Sequence, residues 1–221
     1  MIRLAIFDCD GTLVDSGASI HRSLETTFSA HGLTPPPRDQ AKKVIGLSLL
    51  EALATLAPPD ADHAAMVDTY KGAFLALRSA GQVEEPFYDG IIDLLDAMEA
   101  DGWLLAIATG KSDRGLHHLL DQHGMRDRFV SLQTADRNPS KPHPAMALAA
   151  MADAGAEPSR TVFIGDTAWD MGCAVNAGTG AIGAGWGYHE VDELIDAGAH
   201  GIAVNPVDVI GHAEDWLGRG K

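Results

Sequence analysis

Continuous runs of apolar residues, rather than alternating apolar and polar positions, form the predicted strands of this chain. Such runs are typical of parallel strands that are covered on both faces. The predicted strands are residues 3–8, 103–110, 129–136, 161–166, 180–187 and 201–205. Segments with helical spacing of their apolar residues lie between them, at 90–101, 112–123, 142–154, 168–177 and 190–197. This alternation predicts an α/β fold with a doubly wound parallel sheet.

The alternation is interrupted over residues 17–86, which contain no strand-like run. Helical patterns cover residues 18–32, 47–57 and 61–81, with a turn at the proline-rich segment 34–39. We therefore expect two domains. The core domain is residues 1–16 and 87–221, and a smaller helical domain, called here the insert, is residues 17–86.

Polar side chains follow the predicted strands at the points where these strands end. Asp8 and Asp10 end the first run, Thr109 the second and Asp166 the fourth. In open parallel sheets, ligands bind at the carboxyl ends of the strands. Carboxylates at the end of a buried strand are costly unless a positive partner compensates them, so this edge is predicted to bind a positively charged group.

The stretch "DCDGTLVDS", residues 8–16, resembles the first motif of the haloacid dehalogenase-like (HAD) superfamily. Residues typical of the other three motifs follow in order: Thr109 in "IATGK", Lys141 in "PSKPHP", and Asp166 with Asp170 in "FIGDTAWD". The insert after the first strand resembles the helical type I cap of this superfamily. The cap and the closing loops are similar to those of phosphoglycolate phosphatases.

This resemblance implies a phosphatase that uses Mg²⁺. Asp8 is then the nucleophile that forms an aspartyl-phosphate. Asp8, the backbone carbonyl of Asp10 and Asp166 bind Mg²⁺, and Asp170 reaches it directly or through water. The Asp10 carboxyl group protonates the leaving group and later accepts a proton from water.

The resemblance also implies a set of phosphate-binding groups. Thr109 and the backbone amide of Gly110 donate hydrogen bonds to the phosphoryl oxygens, and Lys141 neutralises charge on the nucleophile and on the transferred group. Lys111 and Arg114 follow at a helix start. They either strengthen the local positive field or are ordinary solvated residues.

Two further pairs complete the predicted site. Gly11 and Thr12 form the turn that presents Asp10, and they are included with the phosphate-binding residues. In the insert, residues 42–53 resemble the cap segment that contacts substrate, with Lys43 and Gly46 as the candidates. The alternative interpretation of residues 42–53 is an amphipathic helix start.

Composition narrows the class of partner. The net charge of −15 argues against binding to nucleic acid or to an anionic membrane surface. No apolar run has the length of a membrane span, and no leader sequence precedes the first strand, so we expect a cytoplasmic protein. Two cysteines and ten histidines without metal-ligand spacing agree with this expectation. The expected ligand is a small phosphorylated metabolite, and the oligomeric state stays open.

The main interpretation is a Mg²⁺-dependent phosphomonoester hydrolase, with phosphoglycolate as the first candidate substrate. The nearest alternative is a phosphomutase of the β-phosphoglucomutase type, which returns the phosphoryl group to a sugar. A non-catalytic phosphate-ester-binding protein and a signalling receiver module are alternatives from other classes. Asp10 argues against a dehalogenase, because dehalogenases of this superfamily lack the second aspartate of the first motif.

Overall fold

A computed structural model of the chain describes residues 1–219. A six-stranded parallel sheet lies at its centre, with the strand order β3-β2-β1-β4-β5-β6. The order reverses between β1 and β4, as in doubly wound folds, so the predicted fold class is confirmed. The strands are β1 (Arg3–Phe7), β2 (Trp103–Thr109), β3 (Phe129–Thr134), β4 (Thr161–Gly165), β5 (Gly180–Ala184) and β6 (Gly201–Ala203).

Helices cover both faces of this sheet. On β1, Leu4 and Ile6 contact one hydrophobic cluster and Ala5 and Phe7 contact the other, and all four are fully buried. Burial on both faces explains the unbroken apolar runs. The helices of the sheet domain are α5 (Ile91–Ala100), α6 (Asp113–His123), α7 (Ala145–Ala154), α8 (Ala168–Ala177), α9 (Val191–Asp196) and α10 (Asp208–Arg219).

Four helices lie between β1 and α5. They pack around a hydrophobic cluster of their own, which includes Leu24, Phe28, Leu53 and Met66. The helices are α1 (Gly17–Ala30), α2 (Arg38–Lys42), α3 (Leu49–Leu56) and α4 (His63–Ser79). A separate cluster agrees with the predicted insert, and the exact domain boundaries stay a prediction.

Several local predictions differ from the structure. The fifth strand, predicted to reach residue 187, ends at Ala184, because the backbone then turns towards the sheet edge. A short helix, α2, begins within the predicted turn. Helix α7 begins at Ala145 rather than at residue 142. Helix α10 was missed, although Val209, Ala213 and Leu217 recur every four residues and are buried.

The strand register brings the predicted site residues to one edge. Phe7 of β1 lies opposite Ile107 of β2 and Ile164 of β4, so the three strands end at nearly the same level. The backbone amide of Asp8 still bonds to the carbonyl of Ile164, at 2.9 Å. Within residues 1–219, no helix is both long enough and apolar enough to cross a membrane.

Candidate active site

Three carboxylates meet at the carboxyl edge of β1 and β4. Asp8, Asp166 and Asp170 each offer one oxygen, and these oxygens all lie within 4.8 Å of one another. All three side chains are completely buried. Asp8 Oδ2 accepts no hydrogen bond from any described residue. A buried acceptor without a donor, beside two further carboxylates, is a site that a cation can fill.

Lys141 is the cation that the protein itself supplies to this cluster. Its ammonium nitrogen lies 2.9 Å from Asp8 Oδ1 and 2.5 Å from Asp170 Oδ1, and it also donates to the carbonyl of Ala108 at 3.3 Å. Although burial opposes it, the neighbouring carboxylates of Asp170 and Asp8 raise the pKa of Lys141. One ammonium group faces three carboxylates, so negative charge remains in excess.

This excess charge appears in the proton affinities of the carboxylates. The pKa of Asp8 is raised to about 7, mainly by burial. Lys141 opposes this rise, and the negative charges of Asp170 and Asp10 add to it. Burial, Asp170 and Asp8 together raise the pKa of Asp166 well above its ordinary value. All the donor atoms are carboxylate oxygens, the ligands that hard divalent cations prefer. The cluster therefore fits a divalent cation.

Two backbone segments hold the Asp166 carboxylate in place. The hydroxyl of Thr12 donates to Oδ1 at 2.8 Å, and the backbone amide of Tyr188 donates to Oδ2 at 2.9 Å. Both segments need glycine for close approach: an added Cβ would lie 2.2 Å from Asp166 Oδ2 at Gly11 and 2.1 Å from Asp166 Cβ at Gly187. Thr12 thus contacts a predicted metal ligand, and its contact with phosphate stays a prediction.

Asp170 has two structural partners besides its place in the cluster. Its Oδ2 accepts hydrogen bonds from the backbone amide and the hydroxyl of Thr167, which completes the N-terminal capping box of α8. Its Oδ1 faces Lys141. Asp170 therefore fixes both the start of α8 and the position of the lysine, and Asp8 is the member of the cluster whose oxygens accept no hydrogen bond from a described residue.

Asp10 does not belong to this cluster and lines the neighbouring cavity. Its Oδ1 accepts a hydrogen bond from the hydroxyl of Ser16 and lies 2.9 Å from the ammonium nitrogen of Lys111. Lys111 also contacts Oε1 of Glu85 at 2.6 Å. Although burial opposes it, Asp10 and Glu85 raise the pKa of Lys111. Sequence reasoning missed Glu85, because no strand end or motif marks that position.

Thr109 and Gly110 end β2 beside this site. Thr109 is buried, and its hydroxyl accepts a hydrogen bond from the backbone amide of Lys111 at 3.2 Å. A Cβ at Gly110 would lie 2.3 Å from the backbone carbonyl oxygen of Leu47 and 2.9 Å from that of Gly46. The insert thus contacts the predicted phosphate-binding turn directly, and this contact requires glycine.

The two residues predicted in the insert have different positions. Gly46 lies at the contact with Gly110, and it lines the cavity. Lys43 does not line it: its side chain is half exposed and forms an ion pair with Glu193 of α9. The backbone carbonyl of Lys43 accepts a hydrogen bond from Trp169 Nε1 at 3.0 Å. In this structure Lys43 therefore joins the insert to the sheet domain.

A cavity of about 610 Å³ separates the insert from the sheet edge. Its sheet side includes Asp10, Gly110, Lys111 and Arg114, and its insert side is mainly apolar. A volume of this order accommodates a small organic molecule. The two residues left open in the sequence, Lys111 and Arg114, thus both face the cavity, although Lys111 is already paired with Asp10 and Glu85.

A family profile described as haloacid dehalogenase-like hydrolase matches residues 5–184 of this chain. That match covers the sheet edge, the insert and all four motifs. The chain belongs to the haloacid dehalogenase-like hydrolase family, and the predicted membership is confirmed. The chain is therefore an enzyme of the hydrolase class, and its relatives in this family include phosphatases.

Individual relatives narrow the class further. The chain is 34% identical over 219 residues to "Probable phosphatase IndB" of Dickeya dadantii, covering 97% of this chain and 94% of that protein. It is 31% identical over 195 residues to phosphoglycolate phosphatase of Agrobacterium fabrum, covering 85% and 82%. A haloacid dehalogenase-like family hydrolase from Streptococcus pneumoniae has the same fold, with a TM-score of 0.83, 26% identity and coverage of 96% and 98%. The predicted phosphoglycolate-phosphatase-like subfamily agrees with these relatives.

Proposed function

We propose that this protein is a Mg²⁺-dependent phosphomonoester hydrolase that acts through an aspartyl-phosphate on Asp8. The observation that carries the proposal is the buried group of Asp8, Asp166 and Asp170, which faces a single ammonium group. The Asp8 carboxylate, neither oxygen of which accepts a hydrogen bond from a described residue, is available as a nucleophile. The names of the relatives support the phosphatase class.

Asp8, Asp166 and the backbone carbonyl of Asp10 would hold Mg²⁺, and Asp170 would support the site through Lys141. The bound cation would lower the repulsion between the Asp8 carboxylate and an anionic phosphoryl group. The protein contributes a rigid set of oxygen ligands, because hydrogen bonds from Thr12 and Tyr188 fix both oxygens of Asp166. Such supporting bonds orient metal ligands.

Two displacements at phosphorus complete the proposed reaction. In the first, a carboxylate oxygen of Asp8 forms a bond to phosphorus, the bond to the ester oxygen breaks, and a protonated Asp10 gives its proton to that oxygen. In the second, Asp10 accepts a proton from water, the water oxygen bonds to phosphorus, and the bond to Asp8 breaks. Inorganic phosphate leaves, and both carboxyl groups return to their starting states. A positioned acid and base of this kind contributes about 10²–10⁴ in rate.

Thr109, Gly110 and Lys141 would stabilise the charge that moves onto the phosphoryl oxygens. Lys141 is already beside the nucleophile, at 2.9 Å from Asp8 Oδ1. Thr109 ends β2 at the same sheet edge, and Gly110, which follows it, lines the cavity. Because these groups are fixed by the fold, they need little rearrangement during the reaction.

The proposed substrate is a small phosphorylated metabolite that binds between the two domains, with residues 17–86 as the cap. Phosphoglycolate is the first candidate, because a phosphoglycolate phosphatase is among the relatives. Gly46 would face the substrate, and Lys43 would act at the domain contact seen here. The free, buried thiols of Cys9 and Cys173 agree with a reducing compartment, and we extend the proposal to the cytoplasm.

Phosphate release from a panel of phosphate esters tests the proposal. The panel contains 2-phosphoglycolate, hexose phosphates and aryl phosphates, each with Mg²⁺ and with a chelator. We expect Mg²⁺-dependent release, abolished by Asp8→Asn. Release that survives Asp8→Asn would contradict the nucleophile. Conversion of one hexose phosphate into another without free phosphate would favour the mutase alternative.

A further inference from the structure

A chain of four charged side chains joins the insert to Asp10. Asp10 Oδ1 lies 2.9 Å from Lys111 Nζ, and Lys111 Nζ lies 2.6 Å from Glu85 Oε1. The other oxygen of Glu85, Oε2, lies 3.2 Å from a guanidinium nitrogen of Arg78. The Glu85 side chain is only 4% exposed and that of Lys111 only 9%. Positive and negative groups alternate along the whole chain.

Two of these residues belong to the insert and two to the sheet edge. Arg78 is near the end of α4, and Glu85 lies in the segment that returns to α5. This segment is firmly placed, since the carbonyl of Pro86 accepts a hydrogen bond from the amide of Asp15 at 2.9 Å. The position of Lys111 therefore depends, through its ion pair with Glu85, on the position of the insert.

The two oxygens of Asp10 have unequal surroundings. Oδ1 has two partners, the Ser16 hydroxyl and the Lys111 ammonium group. Oδ2 accepts no hydrogen bond from any residue in the described range 1–219, although Asp10 lines the cavity. An anchored Oδ1 prevents rotation of the carboxyl group, and the second oxygen remains for a ligand.

Burial shows why Lys111 needs Glu85. A buried ammonium group is costly unless its geometry and its remaining bonds are satisfied. Asp10 supplies one partner and Glu85 the second, so Lys111 is held between two carboxylates. The ring of Phe74 lies beneath the same group, with its centroid 6.0 Å from Lys111 Nζ. The backbone amide of Lys111 is fixed as well, through Thr109.

We propose that Lys111, held by Glu85, is a positioning residue for Asp10: it fixes Oδ1 so that Oδ2 faces the oxygen of the leaving group. This inference rests on the proposed function. It assigns a role to Lys111, whose function the sequence motifs do not define, and to Glu85, which lies outside all four motifs. Because Glu85 belongs to the insert, Asp10 is correctly placed only when the insert is packed against the sheet edge as seen here.

The test compares two esters that differ in their need for a proton. An alkyl phosphate needs protonation of its leaving oxygen, whereas 4-nitrophenyl phosphate releases a stable phenolate and does not. The ratio kcat/KM reports on the steps from free enzyme and free ester to the departure of the alcohol or phenol, and therefore on the step in which Asp10 donates its proton. We expect Lys111→Met and Glu85→Gln to lower kcat/KM about 10²-fold for the alkyl ester, because a misplaced catalytic group costs about this much. For 4-nitrophenyl phosphate the change should stay within about threefold, as for Asp10→Asn.

Two further variants complete the experiment. Glu193→Gln removes a second ion pair between the insert and the sheet domain, Lys43–Glu193, and it should leave the activity on both esters unchanged. Lys111→Arg keeps the charge and should restore most of the alkyl phosphatase activity that Lys111→Met loses. Glu85→Gln keeps the shape of the side chain, so it tests the role even if Lys111→Met does not fold. Thermal unfolding of each variant verifies the fold.

The outcomes separate this inference from the proposed function. No phosphate release by the wild type from either ester would overturn the phosphatase itself. Release by the wild type, with equal losses for both esters in Lys111→Met and Glu85→Gln, would overturn the positioning role and leave only a structural ion pair. Unchanged activity of both variants would overturn it as well.

Discussion

The ammonium nitrogen of Lys141 lies 2.9 Å from Oδ1 of Asp8, and both side chains are completely buried. Among the described residues, it is the only ammonium or guanidinium group that forms an ion pair with the carboxylates of the acidic cluster. The lysine therefore serves two purposes. It compensates part of the negative charge in the folded protein, and it stands beside the proposed nucleophile.

Lys141→Met should therefore reduce both stability and activity. Removal of one partner from a buried ion pair costs about 3–5 kcal/mol, because the remaining charge is left uncompensated. The rate of phosphate release should fall by at least about 10²-fold, the usual effect of losing a group that stabilises charge in the transition state. Urea unfolding and phosphate release measure the two effects. An unchanged unfolding midpoint would contradict the structural role.

Divalent cations should stabilise the protein more at pH 8 than at pH 5. The pKa of Asp8 is raised from 3.8 to about 7 by burial, and that of Asp166 is raised as well. A carboxyl group with a higher pKa in the folded state binds its proton more tightly there. Its stabilising contribution is present at low pH, and it is lost as the pH rises from about 4 to about 7.

A bound cation would replace these protons. At pH 5 the cation must displace protons from the cluster, whereas at pH 8 it meets carboxylates that already repel one another. The shift of the melting temperature on addition of Mg²⁺ should therefore be larger at pH 8. Differential scanning calorimetry at both pH values measures it, with Asp166→Asn as the control that should abolish the shift. An equal shift at both pH values would refute this linkage.

Thr12→Val should weaken the binding of the cation and leave the fold intact. The Thr12 hydroxyl donates to Asp166 Oδ1 at 2.8 Å, and valine has a similar shape without the donor. Loss of a group that orients a metal ligand lowers affinity by about 10–100-fold. Activity measured against Mg²⁺ concentration should show a higher half-saturation point. Thr12→Ser keeps the hydroxyl and should behave as the wild type does.

Gly110→Ala should prevent the insert from packing as it does here. The added Cβ would lie 2.3 Å from the backbone carbonyl oxygen of Leu47, and a backbone atom cannot move aside as a flexible side chain can. We expect a loss of phosphatase activity of about 10²-fold, since small displacements near the reacting atoms cost about this much.

Gly72→Ala is the matched control for Gly110→Ala. Gly72 is exposed within α4, and a Cβ there would meet no atom within 4 Å. Alanine should stabilise the helix by about 0.5–1 kcal/mol, because it loses less conformational freedom on folding. Activity should be unchanged. An equally active Gly110→Ala protein would show that the close contact between Gly110 and Leu47 is not needed for the reaction.

Much of the fold could be predicted because its signals are local. The apolar runs of β1, β2 and β4 are continuous, since both faces of each strand are buried, and this burial is visible along the chain. The end of β5 was misplaced for the opposite reason. Residues 185–188 look like more of the same glycine-rich strand, but the backbone turns there so that the amide of Tyr188 reaches Asp166.

The sequence by itself determined the family, the sheet with its helical insertion and the candidates Asp8, Asp10, Thr109, Lys141 and Asp166, because motif residues follow apolar runs in a recognisable order. Only the tertiary structure decided which side chains pair. It placed Lys111 between Asp10 and Glu85, and it paired Lys43 with Glu193. These pairs join residues 26 to 150 positions apart, and no local pattern encodes such a distance.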